Sequence, residues 1–467
     1  MVDAVASVLS AKPVEVDPSK ADFILVTRNP RLMKRLQKLA EGFQYHARQV
    51  ESVESLSEAP GVYRLVVCDA FTDPKKLAQE VTEYAQVARQ VAPDAKVMAI
   101  LPGRPEKGAL EFARRSGCEL VLLEDEAYQS SKLEFMFTQV IRATFLPVKV
   151  ADLTSKRPLN FDLYHLLPQR GKFVKFAFQG DILTQQKLER LKEAPEFYVH
   201  RSEAASYAHW VGQEEDASAK GLARRCRAQF LALYAGYNEL VFLLTDQSDY
   251  SSFKKGEELL KRCRDLSGEL LGALGAHGSA WDIVNNSVIG EFGSAERSPA
   301  VASYAALLAL QLGIDSIEDM MLAAMISELG LLFLSPQVTS KLREDRMTEL
   351  TDEERTDFEN YPKRSLNLVL DRKLQIEEKL RNLVLTMHLR ADGKGYPRAG
   401  GGGSPRKLTM ASQFLNLAHE MDRLSVVRLG QARVSPELIL RQILAEEQKR
   451  PSRFTVEFTQ KVMAEVG

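Results

Sequence analysis

Four short apolar runs, each followed by an amphipathic stretch, set the tightest constraint on the first third of this chain. They are FILVT (Phe23–Thr27), YRLVVCD (Tyr63–Asp69), KVMAIL (Lys96–Leu101) and ELVLLE (Glu119–Glu124). A strand with one wet face alternates apolar and polar residues, whereas a run apolar throughout must be covered on both faces. The helical stretches PRLMKRLQKLAEGF, KKLAQEVTEYAQVARQV, KGALEFARRSG and KLEFMFTQVIR supply that cover. The pattern predicts a doubly wound, parallel α/β domain.

The style changes at Val148. FDLYHLL (Phe161–Leu167), KFVKFAFQ (Lys172–Gln179) and EFYVH (Glu196–His200) read as strands, with the turn PQRG after the first and a short helix, TQQKLERLK, before the last. This is a small α+β module in which His165 and His200 read as packing or surface residues. From Ala217 the pattern is helical. Leu259, Cys263, Leu266, Leu270 and Leu274 recur at three-to-four spacing, which makes one apolar stripe. A core-facing helix and a dimer-forming helix both fit that stripe.

At 467 residues the chain is too long for a single ordinary core. A net charge of -1 gives no global field for nucleic acid or a membrane surface, and RRCR (Arg224–Arg227) reads as a solvated helix face. The four cysteines form no CxxC pair, which fits a reducing compartment rather than a disulfide framework. The N-terminus lacks a basic region before an apolar block, and Met320–Leu334, the longest apolar stretch, is short for a bilayer and contains Glu328. A cytoplasmic protein is expected.

Thr386–Pro405 reads TMHLRADGKGYPRAGGGGSP, and its DGKGYP turn carries a resemblance. About Arg297 to Glu447 resembles the HD-GYP domain, the helical bacterial module that cleaves cyclic di-GMP. YAALLALQLGI, then IEDMMLAAMISELGLLFLSPQV, LTDEERTDFENYPKRS, MHLRADGKGYP and LAHEMDRLSV follow the family's order and spacing. The resemblance implies a helical metal-dependent phosphodiesterase fold. Its ligand positions, carried over one by one, are mostly replaced. The leading histidine falls on Arg297, the His-Asp pair on Ser327 and Glu328, and the nearby lysine on Leu331. The histidine of His-Pro is Tyr361, the paired histidines are Met387 and His388, the following glutamate is Leu389, and the later aspartate is His419. A two-metal site needs more donors than remain. Glu328, His388 and His419 would still make a two-histidine, one-carboxylate set for one divalent transition metal; the other reading is that they are leftovers satisfied by neighbouring hydrogen bonds, with no cofactor.

In the turn, Gly393 and Gly395 allow positive φ, Asp392 can bond back to the chain, and Pro397 stiffens the exit. That structural role accounts for every letter. The functional alternative is a recognition surface built on Asp392, Gly393, Gly395, Tyr396 and Pro397, with Gly400–Gly403 as a flap. The α/β domain in turn resembles a response-regulator receiver. The resemblance places Asp69 at the phospho-acceptor position, but the acidic pair after the first strand is replaced at Thr27-Arg28-Asn29. The switch hydroxyl falls on Pro102 and the lysine near Glu124.

The expectation is therefore a multidomain α/β plus all-α chain. Residues 1–20 form a tail, 21–147 a receiver-like α/β domain, 148–212 the small α+β module, 213–278 connecting helices, and 279–467 an HD-GYP-like helical bundle. The function expected is that of a signalling pseudoenzyme that binds partner proteins through the GYP-like loop, or cyclic di-GMP without hydrolysis, with no DNA or membrane partner. A homodimer through the connecting helices is open, and the alternative activity is a single-metal phosphodiesterase.

Overall fold

The computed structural model describes residues 21–466 except 42–44, 72, 74, 106–107, 142–143, 155–156, 168–171, 192–196, 215, 246–251, 276–279, 288–293, 316, 398–406 and 427–433. The tail 1–20, the PQRG turn and the flap at Gly400–Gly403 lie outside the described residues. The chain divides into two compact units, residues 21–128 and the described residues from 129 onward.

In the first unit, β1 (Phe23–Val26), β2 (Ala47–Val50), β3 (Leu65–Cys68), β4 (Lys96–Leu101) and β5 (Leu120–Leu123) form an all-parallel sheet in the order β2-β1-β3-β4-β5. This is the doubly wound order with its switch point between β1 and β3. The helices are α1 (Pro30–Glu41), α2 (Val53–Ser57), α3 (Leu77–Val91), α4 (Ala109–Arg115) and α5 (Glu124–Gln129). All four apolar runs are strands, and β1 and β3 are buried at every position. The sequence reading missed β2. It is an edge strand, ARQV, only half-buried, so nothing forces an apolar run. The core includes Tyr84, whose hydroxyl sits 3.0 Å from Val66 O and 2.8 Å from Met98 O.

The second unit begins with α6 (Lys132–Ile141). The sequence pattern ended the α/β domain at 147, after this helix, whereas the contacts end it after Tyr128. The partners of α6 lie far along the chain: Ser131 N donates to Leu332 O at 3.1 Å, and Gln139 Nε2 to Glu296 Oε1 at 2.6 Å. An antiparallel sheet follows, with β6 (Phe145–Val148), β7 (Leu163–Leu167), β8 (Lys172–Ala177) and β9 (Phe197–His200) in the order β6-β9-β7-β8. The unpredicted β6 contains Pro147, which an edge strand tolerates because the ladder does not need its missing N–H. Helices α7 (Gln185–Leu191) and α8 (Ala204–Gly212) complete the module.

The remaining helices are α9 (Ala219–Thr245), α10 (Ser252–Gly275), α11 (Ala280–Ser287), α12 (Ser298–Gln311), α13 (Ile317–Ser327), α14 (Pro336–Arg343) and α15 (Asp352–Glu359). They continue with α16 (Tyr361–Asp371), α17 (Glu378–Thr386), α18 (Met410–Ser425), α19 (Pro436–Lys449) and α20 (Val456–Val466). Every residue of α12 from Ser298 to Ala309 is buried, as is every residue of α13 from Met320 to Ser327. Helices apolar on all sides belong at the centre of a bundle, and α12 packs on both α13 and α18. The leucine stripe of α10 is buried, and the helix packs against α9 of the same chain. RRCR is not a solvated face: Arg224 is buried and pairs with Glu214 at 2.8 Å, and Arg227 pairs with buried Asp152. The sequence hid this because both acids lie outside the helix. All four cysteines are free and buried. No described helix is long and apolar enough to cross a membrane.

Candidate functional site

A switch from α-helix to 3-10 helix aims the first side chain into the site. Helix α13 ends at Ser327, and Glu328–Phe333 continues as 3-10 turns, tight against the start of α16. Gly330 is required there, since a Cβ would stand 1.9 Å from Tyr361 O. Ser365 Oγ accepts from Gly330 N at 2.7 Å and donates to Ser327 O at 2.5 Å, which pins the two elements together. Helix α15, which leads to Tyr361, starts with a capping box: Thr351 Oγ1 accepts from Glu354 N, and Glu354 Oε2 accepts from Thr351 N. The LTDEE run is thus a helix start.

Four helices and the DGKGYP turn then converge. Ligand atoms of Glu328, His388 and His419 all lie within 4.8 Å of one another. His419 Nε2 is 3.1 Å from Glu328 Oε1, within ion-pair range but not aligned as a hydrogen bond. The two imidazoles meet edge to face, 4.7 Å between centroids. The Tyr361 hydroxyl donates to Glu328 Oε1 at 3.1 Å and also meets His388 Nε2. A phenol that gives its one proton to the carboxylate can only accept from His388, so Nε2 of the neutral imidazole carries the hydrogen in this arrangement. Burial, with His419 and Arg453 adding to it, holds the His388 pKa well below the usual histidine value. Burial also opposes the charged form of His419, but the Glu328 carboxylate outweighs it and raises the pKa. The pair therefore divides into one neutral and one readily protonated imidazole.

Arg297 occupies the leading ligand position without adding uncompensated charge. Its Nε and Nη2 donate to the Asp422 carboxylate at 2.8 and 2.6 Å, and both residues are buried. The fork spends the guanidinium on Asp422. Sequence reasoning did not single out Asp422; the pair spans 125 residues. Met387 is wholly buried and Leu331 nearly so, which fills volume with packing atoms.

The DGKGYP turn closes the site from one side. Gly393 has φ +75, as expected, but Gly395 is needed for a different reason: a Cβ would lie 2.4 Å from His388 O. Tyr396 N donates to that same oxygen at 3.1 Å, and its ring stacks on His388 with centroids 4.5 Å apart. Asp392 Oδ1 accepts from Lys394 N at 3.0 Å, the bond back to the chain, and its carboxylate takes two bonds from Arg390. Asp392 and Gly393 are exposed, Gly395 and Pro397 are buried, and Tyr396 lines the interior.

In the first unit, Asp69 follows β3. Its Oδ2 accepts from Tyr128 Oη at 2.8 Å, and that oxygen accepts from Asn29 Nδ2 at 2.7 Å. Burial raises the Asp69 pKa against the effect of its hydrogen bonds from Thr27 and Tyr128.

The donor set can be tested for its fit to a divalent metal. Three donors on one locus suit a single transition metal with open positions, and Glu328, His388 and His419 would hold it. A second ion has no comparable set among the described residues. None of the curated proteins matches the chain. Among solved structures, an HDG"Y"P protein, Bd1817, from Bdellovibrio bacteriovorus is similar at 16% identity, over 68% of this chain and 98% of that one, with a TM-score of 0.38. The HD domain family matches residues 280–449, a span that contains Arg297 and all three clustered donors. Over that span the chain is similar to HD domains.

Proposed function

We propose that this HD domain is a non-hydrolysing binding module of cyclic di-GMP signalling, acting on partner proteins or the nucleotide itself. The supporting observation is the Tyr361 phenol, which joins Glu328 to His388 through hydrogen bonds where a catalytic site would keep open ligands. The Arg297–Asp422 fork and the apolar fill at Met387 and Leu331 extend the same pattern. The front unit, receiver-like in its strand order, is in this reading an interaction domain. Its Asp69 is bonded to Tyr128 and is not a phosphate acceptor. The exposed part of the DGKGYP turn, Asp392 and Gly393, offers the partner surface.

The donor cluster favours one alternative, a single-metal phosphodiesterase. A divalent ion there would polarise a phosphate oxygen or a water; Tyr361 would first have to yield His388. Calorimetry with cyclic di-GMP, paired with a turnover assay on metal-loaded protein, separates the two. Binding without turnover, or neither with retained protein partners, supports the module. Turnover that a chelator abolishes and His388→Ala removes refutes it.

A further inference from the structure

Among the described residues, Arg297, Arg390, Arg423 and Arg453 stand at the candidate site or at the turn that closes it, and they do not use their donors alike. A guanidinium offers its N–H groups in pairs, and the Nε–Nη2 edge is a pair that matches two oxygens of one acid group. Arg297 gives that edge to Asp422, at 2.8 and 2.6 Å. Arg390 gives it to Asp392, at 3.0 and 2.7 Å, and Arg423 to Glu420, at 3.0 and 2.6 Å. Arg453 is the exception. Its Nη1 donates to Glu420 Oε2 at 2.9 Å, while its Nε and Nη2 have no partner among the described residues.

The uncommitted edge sits on a side chain held in place from two directions. Arg453 lies in the corner between α19 and α20, beyond the span that matches HD domains. The Glu447 carboxylate, buried near the end of α19, builds that corner from backbone donors. Its Oε2 accepts from Ser452 N and Arg453 N at 2.9 Å and from Phe454 N at 3.2 Å, and its Oε1 from Ser452 Oγ at 2.9 Å. The corner pairs in turn with the start of the DGKGYP loop: Ala391 N donates to Arg453 O at 3.1 Å and Asp392 N to Ser452 O at 2.9 Å. Glu420, which anchors the guanidinium, directly follows His419 on α18. The charge of Arg453 acts on both His388 and Tyr396, which sets it beside the donor cluster. Its side chain is 28% exposed, so a ligand can reach it.

Charge and shape together decide what fits. Arg423 has a second acid, Asp345, at 3.3 Å, whereas Arg453 has only its share of Glu420. We propose that Arg453 receives a phosphate group of the nucleotide ligand through Nε and Nη2, with Glu420 fixing the plane of the guanidinium. A planar fork holds two phosphate oxygens at once, which a point charge does not. This rests on the reading of the site as one that binds cyclic di-GMP, and the test separates the two.

The full chain is titrated by calorimetry with cyclic di-GMP and, separately, with inorganic pyrophosphate. Arg453→Met should weaken binding of either probe at least tenfold. Arg453→Lys keeps the charge and guards against a variant that fails to fold; it should recover only part of the loss, because an ammonium lacks the fork. Arg262→Met removes an exposed charge on α10, paired with Glu239 at 3.4 Å, and should leave both affinities unchanged. Pyrophosphate binding that depends on Arg453, with no binding of cyclic di-GMP, supports the phosphate site and refutes the nucleotide reading. Cyclic di-GMP binding that stays within twofold in Arg453→Met, full recovery in Arg453→Lys, or binding of neither probe overturns the inference.

Discussion

Replacing Arg297 with methionine would leave the Asp422 carboxylate buried without the two bonds, at 2.8 and 2.6 Å, that neutralise it. Arg297 is 7% exposed and Asp422 3%, so water cannot take over. Removing one partner of such a pair costs about 3–5 kcal/mol, since an uncompensated charge remains in a low-dielectric site. Replacing both residues, as in Arg297→Met with Asp422→Leu, should recover most of that loss, because a well-packed apolar pair is often neutral against a buried ion pair. Asp422→Leu alone strands the guanidinium at a similar cost, so the double-mutant cycle should give a coupling of at least about 3 kcal/mol. Urea unfolding followed by Trp281 fluorescence is a suitable assay: this tryptophan is buried in α11 and stacks on Tyr304 at 6.0 Å. Trp210→Phe would silence the other tryptophan, in α8 of the small module. A single variant within about 0.5 kcal/mol of its parent, or a coupling near zero, would refute the view that Arg297 is committed to Asp422.

Tyr361→Phe should release Glu328 and His388 from their shared phenol, cost about 1 kcal/mol of stability, and tighten binding of one zinc or cobalt ion several-fold by chelator competition. Unchanged affinity would mean the phenol does not compete with metal. Gly330→Ala puts a Cβ 1.9 Å from Tyr361 O, and about 2–3 kcal/mol of destabilisation is expected from overpacking; a neutral result in urea unfolding would disprove the close approach. The two histidines should act on stability in opposite pH ranges. The raised pKa of His419 contributes stability that is full below about 6.5 and fades as pH rises through its folded value. The depressed pKa of His388 means that its contribution is present above about 6.5 and declines as the pH falls below that. His419→Asn should flatten the alkaline side of an unfolding-midpoint profile and His388→Asn the acid side; the reverse assignment would contradict the local electrostatics. Incubation with acetyl phosphate should leave Asp69 unmodified by mass spectrometry, and a phosphoryl adduct there would show that Tyr128 does not block it.

Burial on both faces made β1, β3, β4 and β5 readable, because it demands apolar residues at every position. The same logic hid β2 and β6, which are only partly buried and face fewer demands. Helix α6 was readable as a helix but not as part of the second unit, since amphipathicity says that a face is covered and not by what. In the C-terminal helical region, motif order placed Glu328, His388 and His419 as candidates, and the fold brings their ligand atoms within 4.8 Å of one another. Gly395 was marked for the wrong property: its φ is ordinary, and the constraint is the His388 carbonyl beside it.

Residue chemistry alone determined that Arg297 and Leu389 are not metal donors, because a side chain that cannot ligate in one conformation cannot ligate in any. Only the tertiary structure decided how the remaining groups are used. Arg297 faces Asp422, Tyr361 links Glu328 to His388, and Tyr396 covers His388, pairings between segments far apart in the chain. Buried polar groups must be satisfied by whatever the packing brings near, and no local pattern in the sequence encodes which neighbour that will be.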